Sequence, residues 1–507
     1  MTDEMLHDEA PPRARGMFDS LRGIGYSTPT AIADLIDNSI TAGADRIRLD
    51  FVWRGAQSVI RILDNGRGMS EARLVEAMRP ASHDPTVERH PTDLGRFGLG
   101  LKTASLSQGR LLSVVTRDAG SRDSARFWDL DHILKIDKWH LMHGVPPELE
   151  EDAVLPADLV GGTLVVIGRL DRVVGVESLS EPLSMQRFHA IARNVERHLG
   201  MTFHRYIEGP KPELTITMNG NDASSVIRPW DPFMRQHPAT TTTPVERFTH
   251  SGGSVEVQGF VLPHRDRLTS DEFERAEGPG GWLGHEGFFV YRGRRLLVPG
   301  GWIGLGQGRP WVQNGMHRLA RLRLDLSTTG DHHWKLDIRK SSATPPAALR
   351  NRLQGLAEKV RRDAREIFAH RSGRSTRQTQ DQLVRAWTTV HDSGGVSYKI
   401  DRVHPSVRRV LDSFGDQRAI VEDMLSIIET TVPVQRIWMD HTETADTPAQ
   451  PATDMSLEEK TRLRSLYRHM RMDLGLSAPA ARSRLMTLEP FATYPDAVSQ
   501  LPDDLAR

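Results

Sequence analysis

Apolar residues recur at helical spacing in 29–41, where Ile32, Leu35, Ile36 and Ile40 share one face. That period predicts an amphipathic helix, and a shorter one is expected over 18–25. Residues 46–52 and 58–63 read as strands joined across Arg54-Gly55-Ala56. A short helix follows over 70–78. Residues 79–97, rich in Pro, His and Asp, read as a mobile loop, and another helix begins at 98–107. Strands at 113–117, 125–130 and 163–167 complete a sheet. This succession predicts a two-layer α/β sandwich over residues 1–180.

A second α/β domain is expected over 181–371. It opens with a helix at 185–199, and strands follow near 214–218, 254–262, 287–291 and 321–326. Pro345-Pro346 then precede an amphipathic helix reaching His370, with Leu349, Leu353, Leu356, Val360, Ala364 and Ile367 along one stripe. Residues 371–381 form a polar linker. Residues 382–507 are expected to be mainly helical, interrupted by a loop of low hydrophobicity at 442–454.

Composition narrows the function classes. The 66 Lys and Arg residues balance 66 Asp and Glu residues, so the net field selects neither nucleic acid nor a membrane. The absence of cysteine excludes disulfides, thiol catalysis and cysteine-ligated metals. Residues 1–10 lack the apolar core of a signal peptide. No apolar run approaches the roughly 20 residues a membrane helix needs. A cytoplasmic protein without membrane partners is expected. The histidines, His189, His198 and His332-His333 included, lack carboxylate or cysteine partners at ligand spacing, so zinc is not predicted.

Three segments carry the chemistry. They are Ala33-Asp34-Leu35-Ile36-Asp37-Asn38, Asp64-Asn65-Gly66-Arg67-Gly68, and Gly95-Arg96-Phe97-Gly98-Leu99-Gly100-Leu101-Lys102-Thr103-Ala104-Ser105. The first puts carboxylates and an amide on an otherwise apolar helix. The second places an acidic residue at a strand end before a turn. The third is a glycine-rich loop entering a helix, where exposed N–H groups and the helix dipole favour anions. Each has a plain alternative when taken alone: a turn, a satisfied polar pair, a glycine-rich loop without a ligand.

Their order and spacing resemble the N, G1 and G2 boxes of the GHKL ATPases, the superfamily of gyrase, Hsp-type chaperones, histidine kinases and MutL. The resemblance implies a Bergerat-type two-layer sandwich, followed by a transducer domain and a mainly helical C-terminal region, and it implies ATP and Mg2+ as cofactors. Within the superfamily, residues 31–39 and 95–102 look closest to bacterial MORC-like ATPases. Gly287-Phe288-Phe289-Val290-Tyr291-Arg292-Gly293-Arg294-Arg295-Leu296 resembles a strand-turn-strand of the transducer domain.

Carried over residue by residue, the resemblance implies that Asn38 ligates magnesium with its side-chain oxygen. Asp64, helped by Thr163, would accept from the adenine amine. Gly66, Gly68 and Met69 would line the base, and Gly95, Phe97, Gly98, Leu99, Gly100, Leu101 and Lys102 would hold the phosphates. Lys340, with Lys335 as second choice, would reach the γ-phosphate. One departure stands out. The family places a glutamate four residues before the metal asparagine as the catalytic base, and here that residue is Asp34, one methylene shorter. Misplacing a catalytic group by ~1 Å can cost on the order of a hundredfold in rate.

The expected function is therefore a slow Mg-ATPase working as a nucleotide-gated homodimer on DNA or on a restriction or anti-phage defence partner. Two alternatives remain: a nucleotide-binding scaffold with negligible turnover, and a chaperone-like ATPase on protein clients. Basic residues outnumber acidic ones over 349–377, which is either a solvated face or a DNA-phosphate contact.

Overall fold

Ser27 stops the chain before α2 (Thr28–Thr41): its side chain accepts from the Thr30 N–H, and Pro29 occupies the first turn, where no donor is required. The apolar face of α2 is then committed to the core, with Ala31, Ile32, Leu35 and Ile36 buried. Burying each of the large aliphatic side chains contributes ~1.5–3 kcal/mol. This computed structural model describes residues 12–80, 100–174, 181–250, 253–327, 334, 343–369, 384–392, 395–432, 455, 457–488 and 491–503. They divide into two compact units, 1–368 and 369–507.

The first sheet grows from the pair of strands expected at 46–52 and 58–63. Strands β1 (Arg46–Val52) and β2 (Val59–Asp64) pair antiparallel around a turn of 3-10 helix, Gly55–Gln57. Helix α1 (Ala14–Arg22) precedes α2; α3 (Glu71–Met78), α4 (Gly100–Leu106), β3 (Leu111–Arg117), β4 (Ser124–Asp129), α5 (Leu130–Ile136), β5 (Met142–His143) and β6 (Gly162–Gly168) follow. After them come α6 (Glu181–Thr202), α7 (His204–Ile207) and β7 (Thr215–Met218). The strand order is β5-β4-β3-β6-β2-β1-β7, antiparallel except where β7 runs parallel to β1.

Side chains of the central strands alternate between two cores, as the two-residue period requires. Ile60, Ile62, Leu112, Val114, Val165 and Ile167 pack under α1, α2, α4 and α6. Val59, Leu111, Val115, Leu164 and Val166 face the other side, covered by Leu149, Ala153 and Leu155. The architecture is the expected α/β sandwich.

Its extent differs from the sequence reading. The helix expected to open the second domain packs Phe188, Ala192, Val195 and Leu199 into the first core, and β7 completes the first sheet. Packing therefore continues past the boundary expected at 180. Pairing between strands so far apart in the chain leaves no local signal.

The second sheet holds β8 (Thr241–Thr242), β9 (Glu246–His250), β10 (Gly253–Val261), β11 (Gly287–Arg292), β12 (Arg295–Pro299) and β13 (Ala320–Leu326). Its order is β12-β11-β13-β10-β8, with β9 on β10. Helices α8 (Ser270–Glu277) and α9 (Gly281–Gly284) lie between β10 and β11 in sequence. Helix α10 (Ala347–Ala369) buries Leu349, Leu353, Ala357, Val360 and Ala364 in this core, with Leu356 and Ile367 partly buried beside them, which is the predicted stripe.

The unit 369–507 starts with a hairpin absent from the sequence reading, β14 (Trp387–Asp392) with β15 (Gly395–Ile400). Its other described elements are helical, as expected, with helices at Pro405–Ser413, Arg418–Thr431, Leu457–Met472, Ala478–Leu485 and Pro495–Ser499. The loops expected at 79–97 and 442–454 and the linker at 371–381 lie wholly or almost wholly outside the described residues. No described helix is long and apolar enough to cross a membrane.

Candidate functional site

Asp64 ends β2, and three donors converge on its buried carboxylate. The Ser39 hydroxyl donates to Oδ2 at 2.8 Å and the Gly66 N–H to Oδ1 at 2.9 Å. The main-chain N–H of Thr163, its neighbour across the β2–β6 register, is the third. Burial pushes the Asp64 carboxyl above its ordinary range, and these bonds pull it back. The surrounding turn is built by close backbone approach. Gly68 has φ +69°, and a Cβ there would stand 1.8 Å from the Arg117 carbonyl oxygen. Gly68 is thus required by a neighbouring strand, a reason the sequence reading did not contain. Met69 donates its N–H to Thr116 Oγ1 at 3.0 Å, and that hydroxyl lies 3.1 Å from Thr163 Oγ1. Asp64, Gly66, Met69 and Thr163 therefore belong to one bonded patch.

Helix α2 contributes the adjoining wall. Ser39 ties it to Asp64, and Asn38, one residue earlier, is exposed. Asp37 is buried, about 100° around the helix from Asn38. Asp34 is also buried; its Oδ2 accepts from the Tyr26 hydroxyl at 2.9 Å. Burial and then the Asp34 charge raise the Tyr26 phenol above its ordinary value.

The residue that sequence reasoning missed is Arg295, at the start of β12. Its Nε donates to both Asp37 oxygens at 2.9 Å, and its Nη2 donates to Asp34 Oδ1 at 3.2 Å. Burial works against this charge, but Asp37 and then Asp34 more than offset it. The available signal was an arginine two residues after Gly293 in the transducer-like segment, and nothing in that segment names its partners.

Gly100 opens α4, Leu101 packs against the first core, and Lys102 is buried. The ammonium of Lys102 donates to the Ala77 carbonyl at 2.9 Å, near the end of α3. Burial lowers its pKa to about 8, with Glu76 opposing the shift. Gly95, Phe97, Gly98 and Leu99 lie outside the described residues, as do Lys335 and Lys340.

Of the basic residues proposed for DNA, Arg361 is committed elsewhere. Its guanidinium stacks 4.6 Å from the Trp302 ring and 4.0 Å from that of Trp311. Arg362 and Arg365 are exposed on α10.

Residues 26–158, which contain α2 and all of this bonded patch except Thr163, match the family model for histidine kinase-, DNA gyrase B- and HSP90-like ATPases. Over those residues the chain is similar to the ATPase domain of the GHKL superfamily. The chain is 36% identical over 100 residues to the DNA mismatch repair protein MutL of Sinorhizobium fredii, a stretch covering 19% of this chain and 16% of that protein. It is 31% identical over 91 residues to the ATPase morc-1 of Caenorhabditis elegans, covering 18% and 10%. MutL of Pseudothermotoga lettingae matches at 29% over 126 residues, covering 24% and 21%. The chain thus spans about a sixth of the length of the first of these relatives.

Proposed function

We propose that the chain binds Mg-ATP against the first sheet and hydrolyses it slowly, as a nucleotide-gated homodimer acting on DNA or on a DNA-processing partner. The observation that carries the proposal is the Asp64 carboxylate, buried at a strand end and held by Ser39, Gly66 and Thr163. A carboxylate fixed in this way can accept from an adenine amine while the rest of the patch supplies a rigid floor. The donor set also fits the metal. The exposed Asn38 offers a neutral hard oxygen, which suits magnesium already carrying phosphate oxygens and waters.

When bound, Mg-ATP would supply the phosphoryl group transferred to water. Asp34 would orient that water, and Lys102 would leave the Ala77 carbonyl to meet phosphate. Lys340 remains the candidate for the γ-phosphate. The similarity to MutL, a DNA mismatch repair protein, supports a DNA-related role, with Arg362 and Arg365 on α10 as candidate phosphate contacts, and the similarity to the ATPase morc-1 supports turnover. Action on a restriction or anti-phage partner rests on the resemblance to bacterial MORC-like proteins.

A second reading, a nucleotide-binding scaffold without turnover, is favoured by one observation: Asp34 is engaged by Tyr26 and Arg295. Phosphate release by the wild type, Asp34→Asn and Asp34→Glu, with and without DNA, separates the two. Slow wild-type release that Asp34→Asn abolishes and Asp34→Glu keeps or raises supports the ATPase. Mg-ATP binding with no release from any of the three supports the scaffold. Stimulation by unfolded protein in place of DNA would point to a chaperone-like client. DNA affinity should fall steeply with salt and weaken on reversal of Arg362 and Arg365 to glutamate.

A further inference from the structure

Arg295 belongs to the second sheet, yet its guanidinium ends on α2 of the first layer. One cation there meets two buried carboxylates 258 and 261 residues earlier in the chain. Its remaining Nη1 donates to the Leu296 carbonyl at 2.9 Å, so the group is fixed from its own strand as well. Asp34 is gripped from the opposite side by Tyr26, whose hydroxyl also bonds the Thr103 side chain on α4. The two oxygens of Asp34 thus have different anchors: Oδ1 on the second sheet, Oδ2 on the segment leading into α2.

We infer that Arg295 is a positioning residue for Asp34, a strut by which the second sheet sets the direction of the carboxylate that orients the attacking water. The inference rests on the reading of Asp34 given under Proposed function. Asp37 is the anchor of the strut, since it takes Nε through both of its oxygens and leaves Nη2 to reach Asp34. This division needs the planar fork of arginine. Lysine offers one nitrogen on a flexible stem, which can meet one carboxylate well but not both in fixed directions. The strut also gives the shortened acid a compensation: a side chain with less reach depends more on being held in one direction. Any movement of β12 relative to α2 would turn or release Asp34, so the arrangement of the second sheet bears directly on turnover.

The test measures phosphate release and calorimetric Mg-ATP affinity on the full chain for wild type, Arg295→Met, Arg295→Lys and Tyr26→Phe. Arg295→Met should lower kcat on the order of a hundredfold, the loss expected for a catalytic group misplaced by ~1 Å. Its Mg-ATP affinity should stay at the wild-type value. Arg295→Lys should recover part of kcat, and Tyr26→Phe should lower kcat with affinity unchanged. A folded Arg295→Met with wild-type kcat overturns the inference. So do kcat and affinity falling in parallel, or a lysine variant no better than methionine. If Arg295→Met does not fold, Arg295→Lys and Tyr26→Phe decide: reduced kcat at unchanged affinity in both supports the strut, and wild-type kcat in either refutes it. A wild type that binds Mg-ATP without releasing phosphate rejects the water-orienting reading of Asp34 and the strut with it. A hydrolysing wild type with unaffected variants rejects the strut alone.

Discussion

Replacing Asp64 with asparagine removes one acceptor atom and a negative charge from a site where three donors meet. The amide oxygen, placed where Oδ1 stands, can keep the Gly66 N–H. The new NH2 group then faces Ser39, whose hydroxyl can reverse its role and accept. The Gly66 and Ser39 partners remain satisfied, and their bonds change from charge-assisted to neutral. Each such change costs about 1 kcal/mol, partly offset because the buried charge is gone. The fold should therefore survive with a loss on the order of 1–2 kcal/mol.

Nucleotide binding has no such escape. The amide presents a donor where the adenine amine also donates, and leaving a buried donor unpaired costs ~1–3 kcal/mol. Affinity for Mg-ATP should fall roughly ten- to a hundredfold. Urea denaturation and calorimetric titration of both proteins with ATP and GTP provide the measurement. A folded Asp64→Asn with wild-type ATP affinity would refute the assignment, as would a wild type that binds ATP and GTP equally well.

Asn38→Ala should abolish the magnesium-dependent part of ATP affinity while leaving stability close to wild type, because its side chain is exposed; calorimetry with and without magnesium checks this. Gly68→Ala should destabilise by at least ~2 kcal/mol in urea denaturation, since it combines a positive φ with a Cβ on top of the Arg117 carbonyl. A shift below a few tenths would mean that the turn relaxes freely. The protein should also lose stability as pH falls. Burial lowers the pKa of His198, His285 and His317 from 6.5 to about 4 each, aided by the Arg295, Arg321 and Arg361 charges respectively. A depressed histidine pKa means that the unfolded chain takes up protons first, so stability is complete above pH ~6.5 and drains away down to pH ~4. Each pKa unit is worth about 1.4 kcal/mol, and denaturation midpoints that stay flat across that window would contradict the burial of these rings.

The elements themselves were legible because periodicity is a local property. The apolar faces of α2 and α10 follow from side-chain spacing, and the strands β2, β3 and β6 from their short apolar runs. The motif at Asp64 was legible for the same reason, since Gly66 and Ser39 answer to a strand end and a helix whose positions the pattern already predicts. The hairpin at Trp387–Asp392 and Gly395–Ile400 was missed because its surroundings read as helical and a two-stranded ribbon adds little pattern of its own.

Tertiary structure decided what depends on distant partners. The pairing of β7 with β1 and the docking of Phe188 and Val195 under the first sheet carried the first core beyond residue 180. The motif offered Lys102 as a candidate phosphate ligand, and only the fold shows its ammonium donating to the Ala77 carbonyl. Arg361 looked like a surface charge until two tryptophans from another segment closed on it. Above all, no spacing rule could join Arg295 to Asp34 and Asp37. Sequence determines which groups are available and which face of an element they share. Only the packing of one element on another brings opposite charges close enough, and dry enough, for their attraction to outweigh the cost of burying them.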